Sequence, residues 1–169
     1  ASGMSPAGGT GFHWLWFVAL AAFGLLFVVY GPSLSGPFVL DDLYLPFSNP
    51  QFAGQPLRAW VMGVRPLLML SYWINFGMVG QEPYLYHVFN VLFHFAAGMF
   101  LWVIVRRLLA RVDTPDAKAT WIATFCAAVF LFHPLHTEAV AYVASRSENL
   151  TVMFLYASMA LFVSRRSES

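Results

Sequence analysis

The sequence predicts an all-α integral membrane protein with four transmembrane helices and a long, partly helical outer loop between the first and second. Three observations carry that class. Of the 169 residues, 59% are hydrophobic and only 10% charged. An average soluble domain is roughly a quarter charged, so this chain holds more apolar surface than a core of its size can hide. Residues 12 to 30, FHWLWFVALAAFGLLFVVY, contain no charge. Three further apolar runs are each closed by paired arginines or by proline.

Residues 1–11, ASGMSPAGGTG, read as a flexible N-terminus. The first span, 12–30, is close to the ~20 residues a helix needs to cross ~30 Å of hydrocarbon, with Trp14, Trp16 and Tyr30 near its ends where amphipathic rings prefer to lie. A cleaved signal peptide is the competing reading, and the missing basic n-region argues against it. The second span, 87–105, stops at Arg106 and Arg107. A third, 117–133, ends at His133-Pro134, because proline disfavours helix at the residue before it. The fourth, 149–164, stops at Arg165-Arg166, and 165–169 form a polar tail.

Basic residues orient the bundle. Arg106, Arg107, Arg111, Lys118, Arg165 and Arg166 fall on one side, against Arg58, Arg65 and Arg146 on the other. The richer side is expected to be cytoplasmic. The N-terminus is then inside, and the 31–86 loop and 133–148 connection lie on the outer face, in the inner or plasma membrane of a bacterium.

The outer loop is too apolar for a solvated linker. Pro32, Gly36, Pro37, Pro46 and Pro50 exclude a long regular helix and predict a folded, turn-rich segment. Residues 65–78, RPLLMLSYWINFGM, have apolar positions at helical spacing and predict a helix along the membrane surface. Asp41 and Asp42 sit between these parts. Neighbouring side chains diverge on a helix and alternate on a strand, so the two carboxylates are not expected to share a task. One reading makes them a general base or metal ligand; the other makes them a turn or helix cap.

On the second span His87, Asn90 and His94 are spaced three and four apart and share a helical face. Lipid cannot satisfy them, so the stripe is predicted to face the bundle interior. The alternatives are interhelical hydrogen bonding, substrate contact or, for His94, an axial ligand to a haem or chlorin pigment. The segment 133–150, HPLHTEAVAYVASRSENL, holds His133, His136, Glu138 and Arg146. Pro134 prevents one helix from presenting the histidines at metal-binding spacing, and the pattern is not HExxH. A short helix from Glu138 to Leu150, capped by Thr137 or His136, is predicted instead, with Arg146 free to reach a phosphate. Asn149-Leu150-Thr151 reads as an accidental sequon. The lone Cys126 offers no disulfide or metal pair. A formal charge of +1 without a basic stripe excludes nucleic acid as a partner, and no cofactor or metal is indicated.

Taken in order, FVLDDLYLPFSNP, RPLLMLSYWINFGMVGQEPYLYHVFNVLFH and HPLHTEAVAYVASRSENL resemble the N-terminal membrane region of the transmembrane and tetratricopeptide-repeat-containing O-mannosyltransferases and their bacterial relatives, which are type C glycosyltransferases. The resemblance runs from about residue 12 to 164. It implies an enzyme that takes a sugar from a polyprenyl phosphate and transfers it with inversion to a hydroxyl acceptor on the outer face. An acidic residue of the first outer loop is then the base: Asp41, with Asp42 second. Arg65 and Arg146 become candidates for phosphate contact, and His133, His136 and Glu138 for lining the same outer cavity. Such enzymes carry more membrane helices, and the family continues into a 34-residue helical repeat that is absent here. Two expectations follow. The chain is either the front of a longer glycosyltransferase, or a truncated relative serving as a non-catalytic accessory subunit of a photosynthetic or respiratory membrane complex. In both, four helices bury little area, and the isolated chain is expected to need its missing C-terminal part or other membrane subunits.

Overall fold

The computed structural model describes residues 13–165. The proposed flexible N-terminus, Phe12 and tail residues 166–169 lie outside the described residues. The described chain is helical without strands. In order it forms α1 (His13–Val29), α2 (Gly31–Leu34), two 3₁₀ turns (Leu40–Tyr44 and Pro46–Ser48), α3 (Pro50–Ala53), α4 (Leu57–Val61), α5 (Pro66–Val79), α6 (Pro83–Ala110) and α7 (Asp116–Phe132). A third 3₁₀ turn (Pro134–His136), α8 (Thr137–Ala141) and α9 (Arg146–Arg165) complete it.

Proline opens α3, α5 and α6 and the turns at 46 and 134, where its missing N–H costs nothing and its fixed φ suits the first helical position. Asn49 adds a side-chain cap to α3 through Oδ1, which accepts from the Gln51 N–H at 3.0 Å. The 31–86 loop therefore folds into short turns followed by the apolar helix α5.

Helix α6 is the spine, packed along α7 and along α9. One apolar core joins α1, α2, α6, α7 and α8 through Leu26, Tyr30, Leu34, Val91, Leu131 and Val140. The other lies under the outer loop and gathers Phe47, Trp60, Tyr72, Tyr86 and Val143. Many apolar side chains instead face outward: on α1 Phe17 and Val28 are 72% and 73% exposed, and Trp121, Phe125, Leu161 and Phe162 are exposed on α7 and α9. Outward apolar faces on helices that are also apolar inside are the arrangement a bilayer covers.

Four helices stand where four spans were expected, and the structure does not confirm each as a full span. Among the described residues only α6, at 28 residues, is both long and apolar enough to cross a membrane alone; α7 with the segment Pro134–Ala141, bent by 49°, passes as a broken pair. The reasons are length and polarity. At 1.5 Å per residue α1 and α7 reach only about 25 Å, and α9 spends its first turn on Arg146, Ser147, Glu148 and Asn149.

The predicted helix from 138 to 150 is also corrected. Helix α8 stops at Ala141, α9 starts at Arg146, and the His136 side chain makes no cap bond. Side chains take the carbonyls that would continue the helix. Asn90 Nδ2 donates to the Val140 and Tyr142 carbonyls at 3.3 and 3.0 Å, and the Tyr72 hydroxyl donates to that of Val143 at 3.0 Å.

Helix α6 approaches α7 closely at Gly98, where an added Cβ would lie 2.6 Å from Leu131 Cδ2 and 2.8 Å from its Cγ. Leu131 is buried, so its whole side chain would have to shift. Gly98→Ala should therefore lower the thermal midpoint in detergent, although alanine favours helix by about 1 kcal/mol. In a Leu131→Ala background the same change should be neutral or stabilising, which a double-mutant cycle reads directly.

Candidate active site

The loop carrying the two carboxylates is fastened to the break between α8 and α9. Asp42 is fully buried. Its Oδ1 accepts the Ala144 N–H at 2.7 Å, and its Oδ2 accepts the Val39 N–H at 3.3 Å, half of a capping box on the turn it belongs to. Burial raises its pKa above the ordinary carboxylate value, opposed by the N–H groups of Ala144, Val39 and Val143 and by His87. Asp41 is exposed. Its N–H donates to the Tyr142 hydroxyl at 2.8 Å, and its carboxylate also interacts with that hydroxyl, so the backbone is pinned while the residue stays exposed. The carboxylates thus separate into one that bonds backbone and one that is open to the surroundings. Leu40, immediately before them, sits at φ 50°. That left-handed conformation is disfavoured for a branched side chain, and tethers on both sides hold it: Asp42 to Val39 and Ala144, Asp41 to Tyr142.

Beneath this loop lies Arg146, 0% exposed. Its Nε donates to Asn90 Oδ1 at 2.9 Å and its Nη1 to Asn75 Oδ1 at 2.7 Å and Ser71 Oγ at 3.2 Å. Nη2 donates to the Tyr86 carbonyl at 2.8 Å. The guanidinium carbon lies 4.6 Å from the centre of the Tyr72 ring, and 5.6 and 5.8 Å from those of Tyr86 and Phe89. Among the described residues no carboxylate is within ion-pair distance of it. Neutral acceptors and aromatic faces offset its desolvation. The Arg146 side chain expected at a phosphate is instead occupied in joining α5, α6 and α9.

Arg65 is exposed just before α5 and shares a cleft of about 730 Å³ with Ser147, Glu148 and Thr151, over an apolar floor that includes Leu68, Leu150 and Phe154. The Tyr72 hydroxyl feels Asp42, Glu148, Arg65 and Arg146 together, which places Arg65 in the same electrostatic neighbourhood as the carboxylate loop. His87, 2% exposed, lies near Gly36 and Asp42 on the inner side of that loop, with no hydrogen bond of good geometry to either ring nitrogen.

The other histidines gather elsewhere. His94 Nε2 and the Tyr30 hydroxyl both meet the Leu131 carbonyl, each at 3.2 Å, supplying partners where α7 ends and its own ladder does not. The His94 ring stacks on Phe130 at 4.9 Å and lies 5.3 Å from His136. Burial and the charge of His133 lower the pKa of His136. His133 is exposed, its Nδ1 accepting the Leu135 N–H at 3.2 Å, and Glu138 is exposed on the first turn of α8. No hydrogen bond joins these three to Asp41 or Asp42, and no group of three potential ligands among the described residues is arranged to hold a metal.

Ser71, Tyr72, Asn75, Tyr86, Tyr142 and Glu148 belong to the site and were not among the candidates read from sequence. Ser71 and Asn75 carried a signal, being polar residues one helical turn apart in an otherwise apolar helix.

No family model matches the chain, and no solved structure matches it. It is similar to the protein O-mannosyl-transferase TMTC1 of Homo sapiens, 31% identical over 94% of this chain and 18% of that protein. TMTC1 of Mus musculus is 32% identical over 94% of this chain and 17% of its own length. The protein O-mannosyl-transferase F38B6.6 of Caenorhabditis elegans is 28% identical over 87% and 23%. The chain spans about a fifth of the length of these relatives.

Arg146→Met removes every donor while keeping an unbranched apolar stem, leaving the Asn90, Asn75, Ser71 and Tyr86 oxygens without that partner. A loss of about 3 kcal/mol or more is expected, with Arg146→Lys intermediate because a point charge cannot serve acceptors arranged around a planar fork. Thermal unfolding in detergent checks this order.

Proposed function

Because the chain is homologous over most of its length to protein O-mannosyl-transferases, we propose that it is part of a membrane glycosyltransferase that moves a sugar from a polyprenyl phosphate to a hydroxyl acceptor on the outer face. In this reading α1, α6, α7 and α9 lie across a bacterial inner membrane with the N-terminus cytoplasmic. Shortfalls in hydrophobic length are met by local thinning of the bilayer and by snorkelling of flanking residues. Residues 31–86 and 133–148 then form the outer surface.

Asp41 is the base. The observation that carries this assignment is the separation of the carboxylates: Asp42 is buried with both oxygens engaged, while Asp41 is exposed on a pinned backbone. A base must come within hydrogen-bond reach of the acceptor hydroxyl. As that oxygen attacks the anomeric carbon from the face opposite the lipid phosphate, its proton passes to Asp41. The bond from carbon to phosphate oxygen breaks, and the phosphate leaves on its lipid with the electron pair, so configuration inverts. Arg65, a cation at a cleft with an apolar floor, suits a leaving phosphate that remains attached to a hydrocarbon chain. Asp42 and Arg146 hold the loop without touching substrate.

One observation favours the second reading, a non-catalytic accessory subunit: the most deeply built polar group, Arg146, is spent on joining helices. Activity separates the two. With polyprenyl-phosphate mannose as the first donor tried, Asp41→Asn in the intact protein should reduce transfer about 10²–10⁴-fold while leaving the thermal midpoint unchanged. Asp42→Asn should lower both, since an amide has a single acceptor oxygen and must meet either the Ala144 or the Val39 N–H with its NH2. Full transfer in Asp41→Asn would remove the base assignment.

A further inference from the structure

At the end of the bundle away from Asp41 and Asp42, α1, α6 and α7 leave a gap between them, although the rings of Trp14 on α1 and Trp121 on α7 meet at 5.8 Å. About 24 Å of α6, at 1.5 Å per residue, separates Asn90 from Arg106. Between the three helices lies a cavity of about 370 Å³. Small side chains open it: Ala19 and Ala22 on α1, Ala127 and Ala128 on α7. The few polar groups on its wall are largely paired with one another. Trp102 Nε1 donates to Thr124 Oγ1 at 3.1 Å, and Thr124 Oγ1 donates to the Thr120 carbonyl at 2.8 Å. Water needs two to four polar partners, and this wall does not offer them. Within a bilayer the space is filled by hydrocarbon.

The mouth of the cavity carries positive charge. Arg106 lines it, its Nε donating to Thr120 Oγ1 at 3.3 Å and its Nη2 to Asp116 Oδ1 at 2.7 Å. Among the described residues Nη1 has no acceptor. The guanidinium lies over the Trp102 ring at 5.4 Å. Arg107, next on α6, and Lys118, in the first turn of α7, are exposed and make no ion pair among the described residues, while Asp113 and Asp116 are the acids of the same hairpin. An apolar slot ending in an arginine with free donors, beside two further cations, has the polarity of a phospholipid with a net negative headgroup.

We propose that this cavity binds one acyl chain of an anionic phospholipid, with the lipid phosphate at Arg106. The site is separate from the carboxylate loop and does not depend on sugar transfer; it requires only that the protein lie in a membrane. The bound chain replaces packing that α1 does not make with α6 and α7, so the lipid holds α1 in the bundle.

The test is a titration of the intact, delipidated protein with phosphatidylglycerol, phosphatidylcholine and diacylglycerol, read by native mass spectrometry together with the thermal midpoint. Phosphatidylglycerol should bind tightest and raise the midpoint most, and diacylglycerol should do least. Arg106→Gln should weaken phosphatidylglycerol about fivefold and phosphatidylcholine less, since its choline offsets the phosphate charge; the partly exposed pair with Asp116 is worth little to the fold. Ala19→Phe, which fills the slot and keeps the charges, should abolish the preference for phosphatidylglycerol. Equal binding of the two phospholipids, or a phosphatidylglycerol preference that survives both substitutions, would overturn the proposal.

Discussion

The arrangement of the outer half depends on the burial of Arg146. An arginine with no carboxylate partner is costly to desolvate, and it is tolerated only where its donors are met. Here Ser71 and Asn75 come from α5, Asn90 and the Tyr86 carbonyl from α6, and the arginine itself begins α9. Three helices are thereby fixed around one planar group, and the flanking rings of Tyr72, Tyr86 and Phe89 exclude water from it.

That burial has a local consequence. For Arg146 to point inward at the start of α9, the chain from Tyr142 to Ser145 leaves the helix, freeing the Ala144 N–H and turning the Val140, Tyr142 and Val143 carbonyls toward side chains. The freed N–H is what Asp42 accepts. The carboxylate loop is thus docked on a break that the arginine network creates, and Asn90 serves both, accepting from Arg146 and donating to the break. Asp41 is held by the same segment through Tyr142.

Much of this was legible locally. The divergence of adjacent side chains separates Asp41 from Asp42, His133-Pro134 ends α7, the spacing of 87, 90 and 94 puts three polar residues inside, and 65–78 gives α5. The break at 142–145 was not legible, because EAVAYVASRSENL has no glycine or proline to stop a helix; what interrupts it are Tyr72 and Asn90, distant in sequence. Arg146 looked like a surface cation for the same reason: its acceptors are at 71, 75, 86 and 90, and only the fold brings them together. Helix lengths were misjudged by apolarity alone, since α6 extends to Pro83 and Ala110 through residues as exposed as Tyr84 and Leu108, while α9 absorbs a polar first turn.

The account is tested most directly by a double-mutant cycle between Arg146→Met and Asp42→Asn, two residues that share no hydrogen bond and are linked through residues 142–146 and by the attraction of their opposite charges. Coupling in unfolding free energy above about 0.5 kcal/mol is expected, because either change loosens the segment the other needs. Additivity within about 0.3 kcal/mol would contradict the claim that the buried arginine positions the carboxylate loop.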